Sequence, residues 1–517
     1  MDDKVVVTNR SALRQKYGRQ GLTKVQHALR ALTAADIARG IQSRMLYLDD
    51  AKTMNKLGAK PVLNAADPRE NKAAIDAVFT SLHPDYLLIL GAPDVVPHQD
   101  LDNPVYQPSA NDDEEGDDDQ NAWGDLPYAC DAPYSRDPAR FVGPSRVVGR
   151  VPDLVKATEP SYLIRLLNVL VGAQRRAPDA YSGYFGLSAA PWRGSTRMSL
   201  NNIFGQANNL LLVPPIGPPY SHSELRNRMH FINCHGGSAS PEFAGEVRKT
   251  YPIALTTKST AGEIVDGTVA AVECCYGAEL YDSVTLGIDP PICQSYLRQG
   301  AYGYFGSTTI AYGPSNTNGA ADLICQYFLL NVLEGASLGR AALLARQQFV
   351  DHTGQMDPVD LKTLAQFYLL GDPSLHPVLA ATPTHVPKGV STPDAERFFR
   401  AERRAKLEQT GVFLAKTKPT ASQRVSVRTL APRIKQTLSN LAKQAGLKPS
   451  REFLAFALSG APTLRRGIAK LAAAPSRYFV TVGTPKGAKA DKVKRGVAVV
   501  AKEMNGRIVG YRIYHQR

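Results

Sequence analysis

The sequence lacks long apolar runs and has few cysteines, and these absences exclude several classes of protein. No stretch approaches the roughly 18 apolar residues of a membrane-spanning helix, and runs such as 86–90 and 210–213 have the length of core strands. Six cysteines in 517 residues are too few for a disulfide scaffold, and no Cys-x-x-Cys pair indicates a zinc knuckle. The first residues carry no apolar region typical of a secretory signal. We expect a cytoplasmic protein without a metal, a cofactor or a membrane partner.

Positive charge is concentrated at one end of the chain. The net charge is +14, but residues 381–517 alone contain 28 Lys and Arg against 7 Asp and Glu. Residues 1–380 hold the other 33 basic and 40 acidic side chains and are mildly acidic. The basic tail would suit a nucleic acid, an acidic protein partner, an intramolecular regulatory contact or a solvated surface. It contains no nucleic-acid-binding motif, so charge alone does not choose between these interpretations.

Strand-like and helix-like segments alternate over the first 380 residues. This pattern predicts an α/β fold with a mainly parallel sheet sandwiched by helices. The predicted strands are 5–8, 86–90, 145–148, 184–188, 229–234, 268–274 and 302–309. The predicted helices are 24–39, 71–81, 162–175, 200–210, 292–299 and 322–333. Ligand sites in such sheets lie at the carboxyl ends of the strands, which indicates where to look for chemistry.

Composition divides the chain into four parts. We predict an N-terminal α/β subdomain at 1–180, a second α/β subdomain at 181–381, a linker at 382–394 and a smaller basic α+β domain at 395–517. The predicted helices of the last domain are 395–407, 430–445 and 453–458, and its strands are 478–482 and 497–514. The final strand segment is a hairpin, because Asn505-Gly506 between alternating apolar residues is a strong turn signal.

An acidic segment interrupts the first subdomain. Residues 111–120, NDDEEGDDDQ, carry seven carboxylates and no apolar residue. Like charges at this density predict a solvated, mobile surface loop. Calcium binding and docking against the basic tail are the alternatives, although the spacing differs from that of an EF-hand loop.

Two predicted strands end in a reactive side chain with glycine close behind it. The strand 229–234 leads into His235-Gly236-Gly237, and the strand 268–274 leads into Cys275-Tyr276-Gly277. The forty residues between the histidine and the cysteine are enough for one helical crossover between parallel neighbours. The two side chains are therefore expected to lie at the same edge of the sheet.

A histidine and a cysteine at one sheet edge are what a cysteine peptidase needs. An imidazole or backbone N–H groups lower the pKa of a thiol and activate it, and the imidazole then protonates the leaving group. The backbone N–H groups of Gly236 and Cys275 can form an oxyanion hole. The opposing interpretation is a cysteine buried for packing, which is the ordinary fate of a cysteine in a core strand.

The cysteine motif resembles a known signature. Residues 273–277, Glu-Cys-Cys-Tyr-Gly, are similar to the Gln-Ala-Cys-x-Gly motif of the caspase clan, whose histidine lies about fifty residues upstream. The chain resembles the gingipain-type branch of that clan over most of residues 80–380. The other stretches that carry the resemblance are 86–91 with 96–97, 125–129 with 148–152, 306–309 and 370–375. The resemblance implies a caspase-like fold and an endopeptidase whose catalytic residues are His235 and Cys275.

The motif leaves two candidates for the nucleophile. A small residue before the nucleophile favours Cys275, whereas a Cys-x-x-Gly spacing would select Cys274. Successive side chains of a strand face opposite ways, so one of the two thiols at most points at His235. We favour Cys275.

Substrate preference follows from a departure from the family pattern. In the arginine-directed members, acidic residues before the histidine strand support the histidine and line the pocket for the P1 side chain. Residues 187–200 contain no Asp or Glu here, and they carry Arg193 and Arg197. We therefore expect no acidic third residue there and no preference for P1 arginine. Our hypothesis is that these arginines, with Ser307 and Thr308, line a pocket for an acidic or polar side chain, and the alternative is two surface arginines.

Two functions stay open on this evidence. The first is a cysteine endopeptidase that cleaves protein substrates and is regulated or targeted by its basic C-terminal domain. The second is a non-catalytic caspase-like scaffold that binds a nucleic acid or a protein partner. The intact His235 and Cys275, each with its glycines, favour the first.

Overall fold

A computed structural model describes residues 3–108, 116–248, 250–379, 419–448, 452–458, 476–485, 496–504 and 506–517. The predicted linker at 382–394, the predicted helix at 395–407 and residues 111–115 of the acidic segment lie outside the described residues.

A ten-stranded sheet forms the centre of the described residues. Its order across the sheet is β2 (Ser43–Tyr47), β1 (Lys4–Thr8), β3 (Tyr86–Leu90), β6 (Val148–Val151), β16 (Phe367–Gly371), β14 (Gly303–Ser307), β13 (Val269–Val272), β9 (Met229–Asn233), β7 (Tyr184–Ala189) and β8 (Leu210–Val213). Neighbouring strands run parallel except at β14 and β16, which are antiparallel. The sheet therefore consists of two parallel halves whose carboxyl edges face opposite ways.

Helices cover the sheet, and shorter strands lie outside it. The helices are α1 (Arg10–Ala38), α2 (Ala51–Lys56), α3 (Pro68–Leu82), α4 (Ser161–Gly172), α5 (Arg193–Phe204), α6 (His222–Leu225), α7 (Ser283–Leu286), α8 (Ile292–Gln299), α9 (Ala320–Leu333), α10 (Leu338–Thr353), α11 (Pro358–Gln366) and α12 (Pro432–Gln444). The remaining strands are β4 (Gln99–Asp102), β5 (Asn121–Gly124), β10 (His235–Gly236), β11 (Glu242–Ala244), β12 (Ile253–Thr256), β15 (Tyr312–Gly313), β17 (Pro419–Ser426), β18 (Glu452–Leu458), β19 (Ser476–Gly483), β20 (Val497–Met504) and β21 (Arg507–Gln516). Among the described residues, no helix is both long enough and apolar enough to cross a membrane.

Capping residues explain where several helices begin. The Asp67 carboxylate accepts hydrogen bonds from the first N–H groups of α3, and Pro68 occupies its first position. At α11, Asp357 and Asp360 form a reciprocal capping box. Each such cap stabilises its helix by about 1 kcal/mol.

The stretches that carry the family resemblance meet at a buried arginine. The Arg150 guanidinium donates from Nε and Nη2 to the Asp125 carboxylate, at 2.8 and 2.6 Å. Its Nη1 donates to the main-chain oxygens of Gly91 and Val96, at 2.9 and 2.7 Å. Four separate segments of the sequence pattern therefore converge on one side chain, which gives that pattern a structural role.

The motif at 370–375 is tied to the first strand by a second buried cluster. Lys4 of β1 is fully buried, and its Nζ donates to the carboxylates of Asp36 and Asp372. Removing one partner of a buried ion pair leaves the other charge uncompensated. A variant that lacks one member of this cluster should therefore be strongly destabilised.

The C-terminal residues form a second, antiparallel sheet. Its order is β15-β21-β20-β19-β18-β17, so one strand of the main body forms its edge. Alternate residues face opposite sides, as the strand period of two requires. Phe453, Ala455 and Phe479 pack with α12, whereas Leu454 and Phe456 join the core of the body. The C-terminal domain is thus attached to the body both by a sheet face and by a strand edge.

The predicted fold class is confirmed: a mainly parallel α/β sheet covered by helices is followed by a smaller α+β unit with its own antiparallel sheet. The predicted pairing of the histidine and cysteine strands is also present, since β9 and β13 are parallel neighbours. The connection between them contains β10, β11 and β12, whereas a helical crossover was expected. The domain boundary at residue 180 stays a prediction, and the central sheet continues across it.

Four predicted elements were wrong in kind or extent. The helix expected at 24–39 is α1, which begins fourteen residues earlier at Arg10. The segment 453–458 was expected to be helical, but it lies in β18, which pairs with strands on both sides. Six apolar residues are too few for periodicity to separate a buried strand from a helix. The helix expected at 200–210 is α5, which ends at Phe204 because Gly205 adopts a left-handed conformation. The strand expected at 145–148 is β6, three residues later.

Candidate functional site

The carboxyl ends of β9 and β13 bring His235-Gly236 against Cys275. Both side chains are buried, and the backbones of the two segments touch. A Cβ at Gly236 would lie 1.9 Å from the carbonyl oxygen of Cys275, so glycine is the residue that permits this approach. The strand-end glycine of the sequence pattern therefore sets the spacing of the site.

A carboxylate supports the histidine. The Nε2 atom of His235 lies 2.9 Å from a carboxylate oxygen of Glu246. This contact orients the ring with the Nε2 proton toward Glu246, so Nδ1 is the nitrogen that can exchange a proton with a substrate. The ring also packs against Trp192 and Tyr251, with ring centres 4.3 and 5.2 Å away.

Glu246 is a residue that the sequence analysis missed. Residues 187–200 hold no acidic partner for the histidine, as expected, and the carboxylate comes from Glu246 instead. The pairing of β10 with β11, which sets His235 opposite Ala244, brings the loop after β11 back to the imidazole. A carboxylate eleven residues downstream gives no local signal in a single sequence.

The two adjacent cysteines point in opposite directions. The Cys275 sulfur accepts a hydrogen bond from the N–H of Ala311 at 3.3 Å, at the edge of the site. The Cys274 sulfur accepts from the N–H of Cys234 at 3.4 Å, inside the core. Burial raises the pKa of the Cys275 thiol to about 12, so this thiol is protonated at neutral pH in the described state.

Arg517 occupies the space between these groups. Its carbonyl oxygen accepts hydrogen bonds from the N–H groups of Cys275 and Gly236, at 3.1 and 3.4 Å. Its own N–H donates to the carbonyl oxygen of Ala311 at 3.0 Å. The preceding residues, 515 and 516, pair antiparallel with β15. Residues 515–517 therefore lie against the body in the manner of an added strand. The Arg517 carbonyl oxygen accepts from both N–H groups that were predicted to form the oxyanion hole.

The Arg517 side chain fills a closed acidic pocket. Its Nη2 donates to the two Asp322 oxygens at 2.9 and 3.2 Å and to the Pro314 carbonyl at 2.9 Å. The guanidinium carbon lies 4.5 Å from the Trp192 ring centre, which suits a cation–π contact. A Cβ at Gly313 would lie 2.3 Å from Nη2, so the missing side chain makes room for the guanidinium.

Two carboxyl groups line the pocket. Glu273 and Asp322 are both fully buried beside Arg517. Burial, together with the Asp322 carboxylate, raises the pKa of Glu273 well above its ordinary value, so Glu273 is neutral. Burial also raises the pKa of Asp322, and the Arg517 guanidinium opposes that shift. The pocket therefore presents one carboxylate to one cation.

The pocket predicted from sequence differs from the observed one. Arg193 and Arg197 are exposed on α5, and Ser195, on the buried side of the same helix, lies 3.5 Å from the Arg517 guanidinium. The Ser307 hydroxyl donates to the carbonyl oxygen of Cys274, and Thr308 donates to that of Trp123. Arg193 and Arg197 do not line the pocket that holds Arg517, whose walls are acidic, aromatic or small, and their contact with a substrate stays a prediction. Ser307 supports the strand end that carries the cysteines.

Two carboxylates of the acidic segment, Asp117 and Asp119, lie next to the site. Lys362 Nζ lies 2.6 Å from Asp117 and 3.3 Å from Asp119. The Tyr312 hydroxyl donates to Asp117, and the Ile310 N–H donates to Asp119. The prediction of a solvated loop was wrong for these two residues, because a buried lysine compensates their charge. They hold residues 310–312, the segment against which 515–517 lie.

Several solved structures resemble the chain at low identity. One, described as a protease, is 14% identical with a TM-score of 0.47, and the match covers 99% of this chain and 97% of that chain. Another, separase in the separase–securin complex of Saccharomyces cerevisiae, is 12% identical with a TM-score of 0.27, over 45% of this chain and 14% of that chain. No family model and no curated protein matches. Likenesses this distant carry no argument about activity, so the chemistry of the site rests on its geometry.

Proposed function

We propose that the protein is a cysteine endopeptidase of the caspase-like, gingipain-type kind, with Cys275 as nucleophile and His235 as general base and acid. The observation that carries the proposal is the position of the Arg517 carbonyl. Its oxygen contacts the N–H groups of Cys275 and Gly236, which is where an acyl-transfer site binds the oxygen that becomes negatively charged. Protein substrates are the expected class, because the groove beside β15 binds an extended main chain.

The arrangement supports a two-step acyl transfer. His235 Nδ1 takes the thiol proton of Cys275, and the sulfur attacks the substrate carbonyl carbon. The developing oxyanion accepts hydrogen bonds from the N–H groups of Cys275 and Gly236. His235 then protonates the leaving amine, the C–N bond breaks, and a thioester forms.

Water completes the cycle. His235 accepts a proton from the water as it attacks the thioester, the C–S bond breaks, and the proton returns to the sulfur. The products are a carboxylic acid and the free thiol. Glu246 holds the imidazole in the orientation that both steps need, and its charge stabilises the imidazolium that forms between them.

Regulation by the C-terminal domain belongs to the same proposal. In the described state the thiol is covered, and burial is the leading cause of its raised pKa. Moving the covering residues would admit water and let the imidazole stabilise the thiolate. The peptidase is thus inactive while the C-terminal strand is seated and active when it is displaced.

Separate alanine variants test the proposal. The wild-type chain and the Arg517→Ala chain are incubated with a denatured proteome, and new N-termini are mapped. We expect Cys275→Ala or His235→Ala to abolish cleavage in both backgrounds, a loss of about 1,000-fold or more. Cys274→Ala is the matched control and should retain cleavage. Unchanged cleavage after Cys275→Ala, or none from any chain, would contradict the proposal and favour a non-catalytic scaffold.

A further inference from the structure

The strand β21 belongs to the C-terminal sheet at one end and to the candidate site at the other. Arg507 of β21 pairs with Met504 of β20, and this pair closes the hairpin between the two strands. At the other end, residues 515 and 516 pair with β15 of the body. The chain then places Arg517 in the pocket formed by Trp192, Gly313 and Asp322. One continuous strand therefore links a separate domain to the groove and the pocket.

We propose that residues 515–517 are an intramolecular ligand of this site and that the pocket around Asp322 is a binding site for an arginine side chain. A peptide that carries arginine at the cleaved position must displace Arg517 before it binds. Cleavage after that arginine rests on the function proposed above, whereas the binding of arginine does not.

The chemistry of the pocket selects arginine. The Asp322 carboxylate and the Pro314 carbonyl both accept from one guanidinium nitrogen, and the plane of the group lies near the Trp192 ring. An acidic side chain would face the Asp322 carboxylate in a space closed to water, which is strongly unfavourable. Because Gly313 leaves the room that the guanidinium fills, the pocket also fits the length of this side chain.

The fit of Arg517 is incomplete, as expected for a ligand that exchanges. Its Nε and Nη1 atoms are buried and have no hydrogen-bond partner among the described residues. Buried polar groups that belong permanently to a core are almost always satisfied. The unsatisfied atoms lower the cost of removing Arg517 from the pocket.

Contacts outside the pocket keep the strand seated. The Gln516 side chain accepts from the N–H of Gly496 at 2.6 Å and donates to the Tyr312 hydroxyl at 3.0 Å. Arg512 lies 3.0 Å from Asp360, and the Tyr514 hydroxyl donates to Asp357 at 2.7 Å. Such anchoring holds a tethered ligand at an effective concentration in the millimolar range. A free peptide competes poorly against it.

Peptide binding tests the inference without requiring activity. The probe is fluorescently labelled Tyr-His-Gln-Arg, the sequence of residues 514–517, and all chains carry Cys275→Ala. We expect Arg517→Ala to raise the affinity for this peptide about 10-fold or more, because the competing ligand is gone. Arg507→Ala is the matched control, since Arg507 is exposed on the same strand and distant from the pocket. Equal affinity in the three chains would overturn the inference.

A second variant covers the case in which Arg517→Ala fails to fold. Arg512→Gln weakens an anchor whose side chain is about half exposed, 52%, and leaves the pocket intact. We expect it to raise peptide affinity by a smaller factor, about 3-fold, which corresponds to an exposed-to-half-buried ion pair. An Arg512→Gln chain that binds the peptide no better than the parent would count against the inference.

A cleavage assay separates this inference from the proposed function. Chains with intact Cys275 are given a peptide that contains one arginine. Tighter binding by the Arg517→Ala chain without any cleavage would overturn the peptidase and leave the arginine site standing. Equal cleavage by wild type and Arg517→Ala would support the peptidase and overturn the intramolecular ligand.

Discussion

Two fully buried arginines face a carboxylate in this molecule, and their surroundings differ. Arg150 uses Nε, Nη1 and Nη2, which donate to Asp125 and to three main-chain oxygens. Arg517 donates from Nη2 alone to Asp322 and Pro314, and its other nitrogens lack partners among the described residues. Both side chains are 0% exposed. The two side chains are therefore equally buried, but within the described part of the chain Arg150 has hydrogen-bond partners for all of its nitrogens and Arg517 does not.

The difference separates a cation of the core from a bound one. Arg150 lies in a central strand, and its partners come from segments that cannot leave without unfolding the sheet. Arg517 comes on the last residues of a strand from another domain. A guanidinium whose donors are all satisfied is costly to remove, whereas a partly satisfied one is not. Burial and charge alone do not distinguish the two roles.

The largest effect should come from breaking the complete cluster. Arg150→Met leaves Asp125 buried and unpaired, and we expect the free energy of unfolding to fall by about 3–5 kcal/mol. Arg517→Met removes the guanidinium that holds residues 515–517 in the pocket, so water reaches Asp322 once these residues leave, and the loss should be clearly smaller. Urea unfolding measures both, with the exposed Arg193→Ala as the control. Equal losses for the two methionine variants would break the comparison.

The next effect concerns the carboxylate of the pocket. Asp322→Asn removes the charge that pairs with the guanidinium, and we expect the affinity for Tyr-His-Gln-Arg to fall about 10- to 150-fold in the chain carrying Cys275→Ala and Arg517→Ala. Asp125→Asn should instead lower stability and leave the affinity of the folded protein unchanged. The comparison fails if both variants bind the peptide equally well.

A steric change sharpens the comparison further. A methyl group at residue 313 would lie 2.3 Å from Nη2 of Arg517 and 2.6 Å from an Asp322 oxygen. Such overpacking costs about 1–3 kcal/mol, so Gly313→Ala should weaken peptide binding about 5- to 100-fold. Gly510→Ala, on β21 with no atom within 4 Å of the added carbon, is the control. Full affinity after Gly313→Ala would show that the guanidinium binds elsewhere.

The smallest expected effect is a pH dependence of how firmly residues 515–517 bind in the site. Burial lowers the pKa of His515 to about 4, and Arg517, with His235, adds to the shift while Glu246 opposes it. A lowered folded pKa means that the seated state has its full stability above the ordinary value of about 6.5 and loses it as pH falls toward 4. At pH 5.5 the unseated fraction should rise about 10-fold relative to pH 7.5.

This dependence is measured in the Cys275→Ala chain with a probe whose histidine is replaced by glutamine. Binding should strengthen as pH falls. His515→Gln removes the titrating group from the strand and is expected to flatten the profile. A His515→Gln chain with the same profile as its parent would contradict the role of His515.

Local patterns in the sequence predict the central strands better than they predict which residues line the pocket. The strands around His235 and Cys275 are short, apolar and followed by glycine, so their type and their common edge follow from the residues themselves. The segment 453–458 is equally apolar, but its pairing partners decide that it is a strand. A short run of consecutive apolar residues shows that a segment is buried, but it does not show whether the segment is a strand or a helix.

The side chains that hold Arg517 depend on contacts between distant parts of the chain. Glu246 reaches His235 because two short strands pair, and Asp322 reaches the pocket from the first turn of α9. Arg517 lies 195 positions after Asp322 in the sequence. No spacing rule connects them, and the acidic residues sought next to the histidine strand come from elsewhere in the fold.

The position of Trp192 between the His235 ring and the Arg517 guanidinium has an optical consequence. The chain has two tryptophans, and the other, Trp123, is already 40% exposed to solvent. Withdrawal of the cation would let water reach the indole of Trp192, so its fluorescence emission would shift to longer wavelength. The protein therefore carries a built-in spectroscopic reporter of whether its pocket is filled, with no label required.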